Sequence, residues 1–123
     1  MVFWIELLDN DPRRLTQSVL QVTELLGLYQ AELARVLQLN CGDIGALASG
    51  RRCLEPGTIA WEQARLLVRL YQSLYVRQKG NGAAMCHWLR VPQWSLRGDV
   101  PHLLMVDDGR LDDVLRCLEQ AAG

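Results

Sequence analysis

Apolar residues recur every three or four positions along most of this sequence, which is the period of an amphipathic α-helix. The first such stretch begins after Asp11 and Pro12, a pair typical of a helix start, and ends at Gly27. Strict alternation of apolar and polar residues is poor throughout, and residues 2–5 form the only apolar run of strand length. The pattern therefore predicts an all-α fold.

The rest of the chain continues with the same period. The longest predicted helix runs from about Thr58 to Gln78, and its apolar positions cover more than half of its circumference. Neighbours contact a helix of that kind on two sides, so we expect it to lie at the centre of the fold. A break at residues 79–82 is the best internal boundary. The other helices are predicted over residues 30–38, 42–50, 85–89 and about 109–120.

The composition is ordinary for a soluble globular protein, since half of the 123 residues are apolar and 22% are charged. This length is enough for one compact domain, or for two small helical subdomains that share a core. No apolar run reaches the roughly 18 residues that a membrane span needs, and residues 1–12 lack the basic start of a signal peptide. We therefore expect a cytoplasmic protein that does not bind a membrane.

The first ten residues are predicted to form an N-terminal arm. They contain the apolar run Val2, Phe3, Trp4 and Ile5, which is too hydrophobic to extend freely into water. We expect this run to pack on a partner subunit or back on the long helix.

No pattern of catalytic or metal-binding residues is apparent. The four cysteines include no C-x-x-C pair, so reduced thiols without a bound metal are expected. His87 and His102 have no nucleophile at a recognisable spacing, and the sequence contains no phosphate-binding loop. We predict that the protein is not an enzyme and that it uses no cofactor.

Charge is unevenly distributed, although the net charge is only −1. Residues 51–97 contain eight basic residues and two acids, a local balance of +6, whereas residues 99–123 contain six acids and two arginines, a local balance of −4. A basic middle can contact phosphates, and an acidic end can pair with a basic partner or with the middle of the same chain. Charged residues on solvated helix faces explain the same distribution.

Residues 30–52 have the spacing of a helix-turn-helix. The segment resembles the Cro/repressor-type, or Xre, helix-turn-helix without a gap, at Gln30, Leu33, Ala34, Leu37, Ile44, Leu47, Gly50 and Arg51. In such motifs the first helix crosses the DNA backbone and the second lies in the major groove. The resemblance implies that Gln30 binds a phosphate and that Arg51 and Arg52 lie near the DNA backbone.

Base recognition is less well supported than the fold of this segment. Discrimination in the major groove needs long polar side chains such as Arg, Asn or Gln. The corresponding positions here are Cys41, Gly42 and Ala46, which cannot reach a base edge, so Asn40 is the only plausible base contact. Gln38 also replaces the glycine that the family has in its turn. The sequence leaves open whether the motif reads a specific DNA sequence.

Residues 85–120 resemble the toxin-binding domain of Xre/MbcA/ParS antitoxins. The matching positions are Trp88, Leu89, Pro92, Leu96, Gly98, Pro101, Leu103, Leu104, Gly109, Val114 and Leu118. The resemblance implies an all-α homodimer that binds and neutralises a RES-domain toxin, an enzyme that degrades NAD, and that represses its own operon. It divides the chain into the arm (1–10), a helix-turn-helix domain with the long helix (11–79) and a toxin-binding domain (80–123).

The resemblance places partner binding in the connector that follows residue 89 and in the final helix. We expect Trp94 and Leu96 to be apolar anchors and Arg97 a polar one, because Trp and Arg are enriched at interface hot spots. Arg90 and Leu104 are further candidates. Plain core packing is the competing interpretation of the apolar residues, and an orphan DNA-binding regulator with weak base recognition is the alternative function.

Overall fold

The structure is a computed structural model that describes Ile5 and residues 11–121. Over these residues the chain forms seven α-helices and one 3₁₀ turn and no β-strand, so the predicted all-α fold is confirmed. The helices are α1 (Pro12–Leu25), α2 (Gln30–Leu37), α3 (Cys41–Ala48), α4 (Ile59–Arg77), α5 (Gly82–Arg90), α6 (Pro101–Val106) and α7 (Leu111–Ala121). The 3₁₀ turn, Trp94–Leu96, lies between α5 and α6.

Side-chain caps fix where several helices begin. Asp11 accepts hydrogen bonds from the backbone amides of Arg13 and Arg14 at 3.1 and 3.3 Å, and Pro12 occupies the first position of α1. The same kind of cap begins α3, α4 and α5, at Asn40, Thr58 and Asn81. Because these caps are local in sequence, the predicted helix starts lie within a few residues of the observed ones.

The long helix α4 lies at the centre of the fold, as its apolar pattern predicts. It packs against α1, α2, α5 and α7. Ala64, Leu67, Tyr71 and Leu74 lie on the predicted inner face and are fully buried. Leu70, which lies outside that face, is buried as well, so α4 is covered on more than one side.

Helices from both sides of the break at residues 79–82 contribute to one hydrophobic core. The final helix α7 packs on α4 and buries an apolar stripe of four residues, Leu111, Val114, Leu115 and Leu118. The short helix α6 packs against α2, α5 and α7. The C-terminal helices are therefore attached to the N-terminal ones through both α4 and α2.

Ile5 is the one residue of the predicted N-terminal arm that the structure describes. Its side chain is buried in the core, and its carbonyl oxygen accepts a hydrogen bond of 2.8 Å from Nε2 of Gln72 on α4. The arm is thus attached to the long helix at this residue. Val2, Phe3 and Trp4 lie outside the described residues, so the prediction for the rest of the apolar run stays a prediction.

A buried hydroxyl attaches the segment after α3 to α1. Oγ1 of Thr16 donates to the carbonyl of Pro12 at 2.7 Å and accepts a hydrogen bond of 2.9 Å from the amide of Leu54. Both Thr16 and Leu54 are buried. This bond fixes the end of the segment that carries Arg51 and Arg52.

We predict that Thr16→Val lowers the free energy of unfolding by about 1–3 kcal/mol, because the buried amide of Leu54 loses its acceptor. Thr23→Val is the matched control, since Oγ1 of Thr23 is also buried but only donates to the carbonyl of Val19, at 2.7 Å. Urea unfolding of both variants measures the difference. Equal losses for the two variants would contradict the assigned role of Thr16.

Candidate functional site

A tight turn joins α2 to α3 at the position of the predicted helix-turn-helix. Gln38 ends α2 with a left-handed backbone, with φ at 59° and ψ at 41°, and its amide donates to the carbonyl of Arg35 at 3.2 Å. A left-handed backbone costs a residue other than glycine roughly 1–2 kcal/mol. Glycine is the residue that the family resemblance leads one to expect here, and it adopts this conformation without that cost.

The start of α3 presents few groups that can contact a base. Cys41 and Gly42 are exposed but short. Oδ1 of Asn40 accepts a hydrogen bond of 2.8 Å from the amide of Asp43, so the side chain predicted to contact a base instead caps the helix. Oδ1 of Asp43 lies 2.8 Å from Nη1 of Arg52, which neutralises one of the predicted phosphate-binding arginines.

Two of the predicted DNA-binding residues, Gln30 and Arg51, are exposed, and Arg51 makes no ion pair within the described part of the chain. Gln30 is the first residue of α2. Arg51 follows Gly50, and its Nε donates to Oγ of Ser49 at 3.0 Å. In the predicted helix-turn-helix segment, Gln30 and Arg51 are therefore exposed, whereas the side chains of Asn40 and Arg52 are engaged within the chain.

The connector between α5 and α6 is closed by hydrogen bonds centred on Gln93. The amide of Gln93 donates to the carbonyl of Asp99 at 3.1 Å, and its carbonyl accepts from the amides of Leu96 and Gly98 at 3.0 and 2.9 Å. Its side-chain amide donates to a backbone carbonyl near the end of α5 at 2.9 Å. These bonds fix the connector through backbone groups and the one side chain of Gln93.

Three of the predicted partner-binding residues lie on or next to the 3₁₀ turn of this connector. Trp94 is 96% exposed and is the most exposed large apolar residue in the described part of the chain. Leu96 is half-buried and packs against the core. Arg97 is exposed and ends the turn with a left-handed backbone, at φ 58°. The exposed indole of Trp94 and the exposed guanidinium of Arg97 therefore extend from the same fixed turn.

The 3₁₀ turn faces α7 across an open cleft of about 500 Å³, which we call the connector cleft. Sγ of Cys117 on α7 lies 2.9 Å from Oγ of Ser95 on the turn and joins the two walls of the cleft. The residues that line the cleft are Ser95, Leu96, Arg97, Asp99, Arg110, Asp113, Arg116, Cys117 and Gln120. Residues of the connector and of the final helix therefore line the same cleft.

Two arginines bind the same carboxylate on the α7 side of the connector cleft. Nε of Arg110 lies 2.7 Å from Oδ2 of Asp113, and Nη1 of Arg116 lies 3.4 Å from Oδ1. The pKa of the Asp113 carboxyl is lowered, chiefly because Arg110 donates a hydrogen bond to it, and the same bond raises the pKa of Arg110. This cluster is not among the predicted site residues, although the spacing of three residues between its members is a recognisable signal.

Two of the predicted partner-binding residues have structural roles instead. Leu104 is only 3% exposed and belongs to the core, whereas its neighbour Leu103 is 49% exposed. Nη2 of Arg90 donates to the carbonyls of Leu26 and Gly27 at 2.9 and 3.0 Å, so its guanidinium binds the C-terminal end of α1. Neither Leu104 nor Arg90 belongs to the connector cleft.

Acidic residues of the C-terminal region pair with arginines of earlier helices. Nη1 of Arg35 lies 2.7 Å from Oδ1 of Asp107, and Nη2 of Arg69 lies 2.7 Å from Oε2 of Glu119. All four side chains are partly exposed, so each pair contributes at most about 1 kcal/mol. Of these two contacts, the one between Arg69 and Glu119 joins the acidic end to the basic middle of the chain, whereas Arg35 precedes that middle.

His102 and Glu32 make a further contact between α6 and α2 that the sequence did not indicate. Nε2 of His102 lies 2.7 Å from Oε2 of Glu32 without hydrogen-bond geometry, and both side chains are mostly buried. The other oxygen of Glu32 accepts a hydrogen bond of 2.9 Å from the amide of Tyr29. The two side chains thus lie between the start of α2 and α6.

A second cavity, of about 230 Å³, lies between the turn after α2 and the start of α4. Its lining is mainly apolar and includes Leu37, Leu54 and Ile59. Ile59 is 60% exposed and is not among the residues predicted to be functional. This cavity shares no lining residue with the connector cleft.

Within the described residues no group of three or more His, Cys, Asp or Glu side chains is placed to hold a metal ion. None of the helices there is both long and apolar enough to cross a membrane. No protein-family model matches this chain, and no curated protein shows significant similarity to it.

We predict that Arg90→Ala lowers the free energy of unfolding by about 1 kcal/mol or more, because two carbonyls at the end of α1 lose a charged donor. Arg97→Ala is the control, since Arg97 is an exposed arginine without an ion pair in the described chain. Thermal and urea unfolding compare the two variants. If both unfold like the unsubstituted protein, the role given to Arg90 is wrong.

Proposed function

We propose that this chain is an antitoxin-like protein that binds and neutralises a partner protein through the connector cleft and the 3₁₀ turn beside it. The observation that carries the proposal is the exposure of Trp94, which is 96% exposed on a turn fixed by backbone hydrogen bonds. An indole buries on the order of 150–250 Å² when it is covered. Leaving that surface in water is costly unless a partner covers it.

The rigidity of the connector favours binding. A side chain carried on a turn that is already ordered loses less conformational entropy on association than one on a mobile loop. Gln93 anchors the connector from its centre, so the positions of Trp94 and Arg97 are set before a partner arrives. Trp and Arg are also the residue types most enriched at interface hot spots.

The resemblance of residues 85–120 to the toxin-binding domain of Xre/MbcA/ParS antitoxins supports a specific partner, a RES-domain toxin. It also supports a homodimer that represses its own operon. On this proposal the protein is cytoplasmic and is not an enzyme, and its activity consists of occupying a surface of the toxin. The proposal requires a gene for a RES-domain protein beside the gene for this chain.

We predict that Trp94→Ala combined with Arg97→Ala weakens binding of that adjacent RES-domain protein at least about 100-fold, since hot-spot truncations cost about 2 kcal/mol or more each. The thermal unfolding midpoint should stay unchanged, because both side chains are exposed. Calorimetric titration of purified proteins measures the affinity. Ile59→Ala truncates an exposed apolar side chain of the other cavity and should leave binding intact.

Two outcomes would contradict the proposed role of Trp94 and Arg97. Unchanged binding by the double variant would mean that the toxin contacts another surface. A fall in the unfolding midpoint together with intact binding would mean that Trp94 and Arg97 serve the core rather than a partner.

A second candidate function is DNA binding with weak base recognition, which is favoured by the exposure of Gln30 at the start of α2 and of Arg51 after α3. The cap made by Asn40 and the short side chains of Cys41 and Gly42 argue for contacts to phosphates rather than bases. Affinity should then depend strongly on salt and little on sequence.

Asp43 provides the test of this second candidate, because its carboxylate neutralises Arg52 on the surface expected to contact DNA. We predict that Asp43→Asn increases DNA affinity and steepens the slope of log affinity against log salt by about 1, since one further arginine becomes available to a phosphate. Fluorescence anisotropy with a labelled duplex measures the slope. Asp113→Asn removes a similar charge from the connector cleft and should change neither quantity, and an unchanged slope for Asp43→Asn would count against DNA binding through α3.

A further inference from the structure

The charged side chains in the connector cleft are not equally engaged. Asp113 is bound by Arg110 at 2.7 Å and by Arg116 at 3.4 Å, and Arg116 also lies 4.0 Å from Asp112. Arg97 lines the same cleft but makes no ion pair with any residue in the described part of the chain. One guanidinium of the cleft is therefore available to an external acid, and its neighbours on α7 are already neutralised.

The position of Arg97 is fixed although its side chain is unpaired. Its amide donates to the carbonyl of Trp94 at 3.1 Å, and it has a left-handed backbone at φ 58°. Gly98 follows with φ at 82°, and its amide donates to the carbonyl of Gln93 at 2.9 Å. The guanidinium thus extends from an ordered backbone, and only its own rotamers must be restricted when a ligand binds.

The balance of charge in the cleft favours an isolated carboxylate over a polyanion. Three arginines and two aspartates line it, so the local excess is a single positive charge. Asp99 and Asp113 would repel the successive phosphates of a nucleic acid backbone, whereas one acidic side chain needs only one counter-ion. A planar guanidinium also matches a carboxylate in a bidentate geometry.

The apolar neighbours of Arg97 define the rest of the ligand. Trp94 precedes the residues of the turn that line the cleft and is almost fully exposed, and half-buried Leu96 lines the cleft itself. A partner segment that covers the indole buries apolar surface next to the ion pair. Removing water there strengthens the attraction between the two charges.

We propose that the connector cleft recognises an acidic side chain, Asp or Glu, that lies beside an apolar residue in a protein partner, with Arg97 as the counter-ion and Trp94 as the apolar platform. This recognition rule rests on the proposed function, because it describes the partner of that same surface. It adds a chemical requirement that the antitoxin assignment does not contain. Recognition should therefore depend on one acid at one position of the partner segment.

A library of random twelve-residue peptides displayed on phage tests this rule when it is panned against the full-length protein. Synthetic versions of the selected peptides are titrated by fluorescence anisotropy against the unsubstituted protein, Trp94→Ala and Arg97→Ala. Peptides whose binding requires Trp94 should contain Asp or Glu. Changing that acid to Asn or Gln should weaken binding to the unsubstituted protein at least about tenfold. The same change should have little further effect on binding to the Arg97→Ala variant, as expected if the acid pairs directly with Arg97.

The outcomes separate the rule from the function on which it rests. If peptides require Trp94 but bind equally well after neutralisation of their acids, the rule is overturned and protein binding through the cleft stands. If no selected peptide requires Trp94, the rule is overturned, and titration of the adjacent RES-domain protein with the double variant decides the function separately. Tight binding of a labelled single-stranded oligonucleotide that depends on Arg97 would show that the cleft binds a phosphate rather than a carboxylate. That result would also overturn the rule.

Discussion

The fold depends on the need to cover the long helix α4 on nearly all sides. Its fully buried residues, among them Leu67, Leu70 and Tyr71, point in more than one direction, so no single neighbouring helix can keep them from water. Helices α1, α2, α5 and α7 therefore surround it. The segment between α5 and α6 is not required for this coverage, which leaves the connector at the surface and free to carry exposed side chains.

Electrostatic pairing within the chain reduces the number of charges that remain for partners. Asp43 engages Arg52, and two acids of the C-terminal region engage Arg35 and Arg69. The local excess of positive charge in the middle of the sequence is consequently smaller at the surface than along the chain. Arg97 differs from these arginines because no carboxylate of the described residues reaches it. The charged groups that can recognise a partner are thus fewer than the composition suggests.

The helices could be predicted from the sequence because their caps and apolar periods are local, as at Asp11 and Thr58. The contacts between distant segments could not. Arg90 binds the end of α1 across more than sixty residues, and no local pattern reports that contact. In the short helix α6 the period is too brief to fix which of two adjacent leucines faces inward, so the sequence offers Leu104 as a partner-binding candidate although Leu103 is the exposed one. For the candidate site, proximity of Trp94, Leu96 and Arg97 follows from sequence, whereas the cleft requires the packing of α7.

The hydrogen bonds that close the connector determine which of its residues can be substituted during evolution. They involve backbone groups and the side chain of Gln93, and none involves the side chain of Trp94 or Arg97. Trp94 and Arg97 can therefore be replaced without loss of the turn that carries them, provided that Arg97 gives way to a residue compatible with a left-handed backbone. If the proposed function is correct, variation at these positions alters specificity at little cost in stability, and the connector is an exchangeable recognition element on a constant helical scaffold.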